Sequence, residues 1–278
     1  MSRALTIAME QEFRISKTCR LGSLAFQLMI FISSLIPAIT TGAWIRYYGI
    51  AVVLASAGTL WLKSTQQDRY ERGEEYRRLL FFTKSLDVPL LPQQLAEIEI
   101  LIRAKPDDAI RRESEYYDSV AAPGKMRTLE NLQESSYYTH KLAGKTKAAF
   151  RTVSFLGLVV AVVFMLSTLN SADRLTDPSA LRRVAEITSK LLAFLAVGQY
   201  VELWFSFSAL ERTTRGVYND ICHVIQQPNV DEKFISRILS TYDCALAAAS
   251  PIPTWVWKTS GSKLNRGWDK IKCSRVCE

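Results

Sequence analysis

The side chains best suited to acid–base chemistry or metal binding near neutral pH are two histidines, His140 and His223, and neither has a partner at catalytic or metal-ligand spacing. The chain has no HExxH sequence, no glycine-rich phosphate loop and no GxSxG motif. His140 follows the aromatic pair Tyr137-Tyr138, which favours a polar surface contact or a ligand contact over a general base. We therefore predict a protein that is not an enzyme and holds no metal or other cofactor.

A second polar group lies inside an apolar stretch from Leu191 to Leu210. Glu202 is the acid in that stretch, and Gln199 and Ser206 share its face at helical spacing. An acid in a membrane span usually faces protein or water, because contact with lipid costs several kcal/mol. Two roles stay open for this face: a structural hydrogen bond between helices or at the interface, and the lining of a pore.

The element that must position these groups is the run from Thr152 to Ala172, which carries no charge and lies between Arg151 and Asp173. At about 1.5 Å per residue such a run forms a rod of roughly 31 Å, close to the hydrocarbon thickness of a bilayer. It contains neither Pro nor an acidic residue. We predict a transmembrane helix here.

Three further spans follow from the same pattern. Within residues 21–62 the only charged residue is Arg46, and a cluster of Pro, Thr and Gly near the middle predicts a turn. This indicates a hairpin of two spans, 21–39 and 44–62. The apolar stretch at 191–210 predicts a fourth span.

The distribution of charge predicts the topology. The formal net charge is +8, and basic residues are concentrated outside the predicted spans. This places the leader, the long insert and the tail in the cytoplasm, together with all five cysteines. Residues 63–152 carry 16 basic and 14 acidic residues, so we expect no DNA-binding or RNA-binding face. The basic excess near the spans favours anionic lipid headgroups.

The cytoplasmic segments have helical patterns. The second span is expected to continue as a charged helix until Pro89 and Pro92 end it. A stretch that begins after Pro123 is expected to run without a break into the third span, so that an event at the aromatic pair acts directly on a membrane helix. A short amphipathic helix lies between them, with one apolar stripe formed by Leu95, Ile98 and Ile102.

Two predictions concern the C-terminal region. Asn229, followed three residues later by Glu232, predicts the N-terminal cap of a last helix that ends near Ala249. A proline-rich turn follows, and Trp255 and Trp257 either dock on the membrane interface or pack on the cytoplasmic helices, of which a rigid proline-fixed turn favours packing. The predicted architecture is an all-α integral membrane protein, in which four transmembrane helices form two hairpins and the 63–152 insert and C-terminal segment form a helical cytoplasmic domain. Its regions are a leader at 1–20, hairpin 1 at 21–62, a sensor region at 63–151, hairpin 2 at 152–210 and a tail at 211–278.

Three short motifs resemble those of a known family, the SMODS-associated four-transmembrane effectors of bacterial CBASS anti-phage defence. Tyr116-Tyr117 stands where that family tends to have a Trp-Tyr dipeptide. The stretch 133–142, QESSYYTHKL, is similar to its polar stretch before an aromatic pair and a basic patch. The stretch 250–255, SPIPTW, is similar to its Ser-Pro-x-Ile-Pro-Asp-Trp tail. The chain departs from the pattern in having tyrosines for the usual Trp pair, Thr139 for an acid and Thr254 for the tail Asp.

The resemblance implies a homo-oligomeric, pore-forming effector in the bacterial inner membrane. Such an effector makes the membrane leak and thereby causes abortive infection. Its activating ligand would be a cyclic di- or trinucleotide made by a partner CD-NTase. Cations would hold the phosphates and aromatic rings would stack on the bases. The candidate ligand-binding residues are Arg111, Arg112, Tyr116, Tyr117, Lys125, Arg127, Tyr137, Tyr138, His140 and Lys141.

Two hypotheses remain at this stage. The first is the ligand-gated effector. The second is a constitutive membrane scaffold or small channel with a helical adaptor, in which the paired tyrosines, at helical spacing, serve only as packing residues. Polar and small residues recur along the spans and suit either helix association or a water path. These residues are Ser23, Gln27 and Ser34 on the first span, Ser154, Gly157 and Ala161 on the third, and Gln199, Glu202 and Ser206 on the fourth.

Overall fold

All regular structure in the described part of the chain is helical. The computed structural model describes residues 2–39, 44–101, 117, 119–172, 200–227 and 229–276. The predicted all-α class is confirmed for these residues. In chain order the helices are α1 (Ser2–Ile39), α2 (Trp44–Leu86), α3 (Pro92–Leu101), α4 (Lys125–Ala172), α5 (Tyr200–Val224), α6 (Glu232–Ala247) and α7 (Thr254–Val276).

The limits of the first four helices follow from local sequence. α1 ends at Ile39 and α2 begins at Trp44, as the hairpin prediction requires. α2 ends at Leu86, before Pro89, and Pro92 takes the first position of α3, where its missing N–H costs nothing. The leader was not assigned a helix from sequence, but it forms the first turns of α1.

α4 is a single helix from Lys125 to Ala172, which confirms the predicted continuity into the third apolar run. Gly124 precedes it with φ of +141°, a conformation that side chains rarely adopt, and its N–H donates to the carbonyl of Ser85 at 3.0 Å. The predicted amphipathic helix before it is α3. Its Ile98 is buried and its Leu95 is half-buried, while Ile102 lies outside the described residues.

The C-terminal region corrects two predictions. The N-cap of α6 is Asp231, not Asn229, because the Asp231 carboxylate accepts a hydrogen bond from the Lys233 N–H at 3.1 Å. α6 is also not the last helix. After the proline-rich turn the chain forms α7, whose buried residues recur every four positions as Val256, Ser260, Leu264 and Trp268.

The chain divides into two units. Unit 1 comprises Met1–Lys17, Gln67–Thr146 and Ser206–Glu278, and unit 2 comprises Thr18–Gln66 and Lys147–Phe205. Unit 1 has an apolar interior. Its fully buried side chains include Leu5, Met9, Leu80, Leu129, Ile221 and Val256.

A charged network is buried in the same unit. The Arg77 guanidinium donates to Glu74 at 2.7 Å and to Asp243 at 3.0 Å, and it lies 5.3 Å from the centroid of the Tyr242 ring. Burial is the largest single effect and works against the cation, but Glu74, Tyr242 and Tyr117 together outweigh it, and the pKa of Arg77 is raised well above its ordinary value. The hydroxyls of Tyr242 and Thr139 are 2.9 Å apart, so the network reaches α4.

Unit 2 has the opposite distribution of side chains. Large apolar side chains on its helices are exposed, among them Leu21, Val53, Leu54, Trp61, Phe155 and Leu156. Polar side chains are buried, among them Ser23, Gln27, Thr59 and Ser154. Within the described residues, one helical stretch, Ala4–Ile32, passes a test of length and hydropathy for crossing a bilayer, which is compatible with a membrane location.

The Arg77 network gives a first prediction. Arg77→Met keeps the length of the side chain but leaves Glu74 without its cation and Asp243 with only the longer contact to Arg78 at 3.8 Å, so we expect a loss of about 3–5 kcal/mol of stability. Thermal unfolding of the purified full-length chain measures the loss. Lys125→Met is the matched control, because the pair of Lys125 with Glu232 is exposed at both ends and should contribute only about 0–1 kcal/mol. Equal losses in the two variants would contradict this account.

Candidate functional site

Six rings of unit 1 form what we call the aromatic cluster. α4 supplies three of them, α5 supplies one and α7 supplies two: Tyr137, Tyr138, His140, Tyr218, Trp257 and Trp268. The Tyr137 centroid is 5.4 Å from that of Tyr138, at 80°, and 5.4 Å from that of Trp268, at 35°. Tyr138 is 5.7 Å from Trp257. The tilted and edge-to-face geometries are those that aromatic quadrupoles prefer.

Packing between α4 and α7 positions the cluster. Leu142 of α4 packs with Val256 and Leu264 of α7, which lie about two turns apart on one face of that helix. Gly267 lies against Tyr137, and a Cβ at that position would overlap the Tyr137 hydroxyl oxygen. Gly267 is therefore the residue that lets α7 approach the tyrosine ring.

Two hydrogen bonds join the same helices beside the rings. The Tyr138 hydroxyl donates to Asn265 Oδ1 at 3.0 Å, and Lys145 Nζ donates to Ser260 Oγ at 2.6 Å. Burial raises the pKa of Tyr137, so its phenol stays neutral at physiological pH. The Tyr137 and Tyr138 rings thus pack against α7, and the Tyr138 hydroxyl is also hydrogen-bonded to it.

His140 is buried and neutral. Burial lowers the pKa of its imidazole, and the nearby cations Lys141 and Arg215 add to that effect, against the opposing effects of the Ser136 carbonyl and the Glu211 carboxylate. Its Nδ1 is 2.8 Å from the Ser136 carbonyl oxygen, which fixes Nδ1 as the protonated nitrogen. The other nitrogen, Nε2, is left as a hydrogen-bond acceptor. Its ring lies 5.3 Å from that of Tyr218.

Exposed cations flank the cluster. Lys141 and Lys145 lie one turn apart on α4, and both are exposed. Arg215 of α5 is exposed and pairs with Glu211. Such an arrangement of rings and cations has the chemistry needed for planar bases and phosphates.

Tyr117 belongs to a different part of unit 1. Its ring packs edge-to-face on Phe81 at 5.5 Å, and its hydroxyl hydrogen-bonds with Arg77 and Ser135. Its φ is +59°, and burial raises its pKa. Tyr117 is therefore a member of the buried Arg77 network in this structure.

The remaining candidates are dispersed. Lys125 pairs with Glu232 at 2.9 Å and lies about 18 Å along α4 from Tyr137. Arg127 is half-buried, and its Nε has no hydrogen-bond acceptor among the described residues. The candidates Arg111, Arg112 and Tyr116 lie outside the described residues.

The polar face of the fourth predicted span is described only in part. Gln199 lies outside the described residues, Glu202 is exposed at the start of α5, and Ser206 is half-buried. Ser206 also lines a cavity of about 600 Å³ between α5 and α6, which is walled mostly by small side chains such as Thr213, Cys244 and Ala248. The choice between a structural role and pore lining stays open for Glu202.

Sequence reasoning identified the α4 part of the cluster and missed most of its partners. Trp257 packs on Tyr138, as the packing alternative predicted, but it is still 45% exposed, and Trp255 is 51% exposed. Trp268, Asn265 and Tyr218 were not identified. The four-residue spacing from Val256 to Trp268 is the signal that would have indicated a helix with one face on α4.

The comparisons with known proteins leave this site to be interpreted from its own chemistry. No family model, no curated protein and no solved structure matches the chain.

The contact of Gly267 with Tyr137 gives a prediction. Gly267→Ala should destabilise unit 1 by about 1–3 kcal/mol, because the new methyl group forces α7 away from the tyrosine. Gly216→Ala is the control, since its Cβ would meet no atom within 4 Å, and it should be neutral or stabilising by up to about 1 kcal/mol. Thermal unfolding and tryptophan fluorescence report both. A neutral Gly267→Ala would contradict the proposed close packing.

The neutral His140 predicts a dependence on pH. Its folded-state pKa is lowered, so the unfolded chain binds the proton more readily, and stability is lost as the pH falls below the unfolded value of about 6.5. His140 should therefore lower the Tm as the pH falls from about 7.5 to about 5.5. The difference between wild type and His140→Gln across this range measures the contribution. His223→Gln, at an exposed position, should retain the wild-type dependence. An unchanged slope in His140→Gln would refute the assignment.

Proposed function

We propose that this chain is a four-span membrane effector whose cytoplasmic helical part binds a cyclic oligonucleotide and thereby triggers leakage of the membrane. The observation that carries the proposal is α4. One uninterrupted helix bears Tyr137, Tyr138 and Lys141 and then, from Thr152 onward, a run of exposed apolar side chains. A ligand held at the first part acts on the second without a flexible linker.

The side chains of unit 2 support a place in the bilayer. Contiguous exposed apolar surface is rare on soluble monomers, and it carries an unfavourable hydration free energy of about 25 cal/mol per Å². In α4 the exposed residues include Phe155, at 67%, and Leu156, at 61%. We place two hairpins in the bacterial inner membrane, with both termini in the cytoplasm, in accordance with the positions of the basic residues.

The aromatic cluster supports a ligand with bases and phosphates. The cations Lys141, Lys145 and Arg215 can meet phosphate oxygens, and Tyr137 and Tyr138 can stack on bases. Because Trp257 and Trp268 pack against these tyrosines in tilted geometry, we expect that stacking of a base requires α7 to move. Ligand binding would then exchange a ring of α7 for a ring of the nucleotide. The proposal assigns the chain a binding role and no reaction, with a CD-NTase as the source of the ligand and a homo-oligomer as the leaking species.

The burial of the same side chains favours a second candidate. Tyr137 is 7% exposed and His140 is 4% exposed, which suits residues that only pack α4 against α7 and α5. The chain would then be a constitutive scaffold or small channel with a helical adaptor. This candidate predicts no response to any nucleotide and a protein partner that copurifies with the cytoplasmic part.

Leakage from liposomes tests the proposal. The full-length chain is reconstituted into dye-loaded vesicles of phosphatidylethanolamine and phosphatidylglycerol, and a panel of cyclic dinucleotides and cyclic trinucleotides is added. At least one of them should release the dye. Lys141→Gln should raise the concentration needed by about 10-fold or more, because a charge-assisted hydrogen bond contributes about 1.5–3 kcal/mol.

Lys233→Gln provides the control, since Lys233 is an exposed lysine of α6 outside the aromatic cluster. It should leave the response unchanged. No leakage with any member of the panel, or equal effects of the two substitutions, would overturn the proposal.

A further inference from the structure

One face of α1 within unit 2 is polar and buried. Arg20, Ser23 and Gln27 follow one another at helical spacing and are 9%, 4% and 7% exposed. The opposite face of the same turns is apolar and exposed, with Leu21 at 69% and Leu28 at 48%. α1 thus presents its polar side chains to the interior of unit 2 and its apolar side chains to the surroundings.

α4 faces this stripe with polar and aromatic groups. The Arg20 guanidinium lies 5.7 Å from the centroid of the Phe150 ring. Ser154 follows Phe150 by one turn on the same face of α4 and is 8% exposed. The interior of unit 2 is therefore lined with polar side chains from more than one helix.

Two atoms of this interior have unmet hydrogen-bonding capacity. In the described part of the chain, Gln27 Oε1 and Ser154 Oγ are buried and have no hydrogen-bond partner. A buried polar atom without a partner is costly, and most costly in a membrane, where lipid offers no replacement. Water or a small ion that reached these atoms would restore the missing hydrogen bonds.

The charge of the interior favours one sign of ion. Residues 18–66 contain no Asp or Glu. Among the described residues of unit 2 the one acid is Glu202, which is exposed. Arg20 is thus the charged group that the interior stripe itself supplies. Pores lined by arginine or lysine favour anions.

The geometry points to a hydrated path through unit 2, lined by Arg20, Ser23, Gln27 and Ser154, that admits small inorganic anions such as chloride. This inference rests on the proposed membrane function and adds the route and the ion class. It assigns Arg20 the role of selecting charge. Gln27 lies deeper, about 10 Å further along the helix axis.

Cysteine accessibility tests the path, and each measurement is made both with and without the nucleotide panel. The five native cysteines of the full-length chain are replaced by serine, and Gln27→Cys is reconstituted in liposomes of phosphatidylethanolamine and phosphatidylglycerol. The rates of modification by an anionic and a cationic methanethiosulfonate are measured and divided by the rates with a free thiol. Leu28→Cys, on the exposed apolar face, is the matched position.

The path predicts that Gln27→Cys reacts about 10-fold or more faster than Leu28→Cys, and faster with the anionic reagent than with the cationic one. Adding Arg20→Gln to the Gln27→Cys variant should abolish the preference for the anionic reagent. Adding Arg151→Gln should preserve it, because Arg151 is an exposed cation of α4. Equal reactivity at positions 27 and 28, or a charge preference that ignores Arg20, would overturn the inference.

The outcome is separable from that of the nucleotide experiment. Modification of Gln27→Cys in vesicles that never leak dye would support the path and refute activation by cyclic oligonucleotides. Dye release from vesicles in which Gln27→Cys stays unmodified would refute the path and support the ligand. Failure of both refutes both.

Discussion

The organisation of unit 1 depends on the burial of one positive charge. A guanidinium removed from water is tolerated only when acceptors surround it, because its desolvation penalty is several kcal/mol. Arg77 of α2 obtains one acceptor from its own helix, Glu74, and one from α6, Asp243. The side chain lies against the Tyr242 ring, whose hydroxyl contacts Thr139 of α4. Three helices are thereby held in register by a group that cannot be left partly satisfied.

α4 has a different kind of contact on each of two faces. Ser135 and Thr139 are one turn apart and meet the buried charged network through Tyr117 and Tyr242. The neighbouring face carries the aromatic pair, which meets α7 through apolar and aromatic contacts. A buried charged network is costly to leave partly satisfied, so we expect the α7 side of α4, rather than the network side, to be the one that rearranges.

Local sequence signals predicted much of the fold, and their limits explain the errors. The end of α2 before Pro89 and the start of α4 after Pro123 were predicted because proline acts on its immediate neighbours in the chain. The cap at Asn229 was wrong because a second acceptor, Asp231, lies two residues later and sequence spacing does not choose between them. α7 was missed because its apolar residues are sparse. For the candidate site, the sequence indicated Tyr137, Tyr138 and their basic neighbours, but partners more than a hundred residues away are set by packing that no local pattern encodes.

That separation along the chain has a consequence for biosynthesis. Trp268 belongs to α7, and α7 is made after every other described helix, while Tyr137 belongs to α4. At about 5–20 residues per second, a ribosome needs on the order of 10 s to proceed from one residue to the other. During this interval the tyrosines of a nascent chain lack their α7 partners, so this part of the aromatic cluster can form only after all the other described helices have been made.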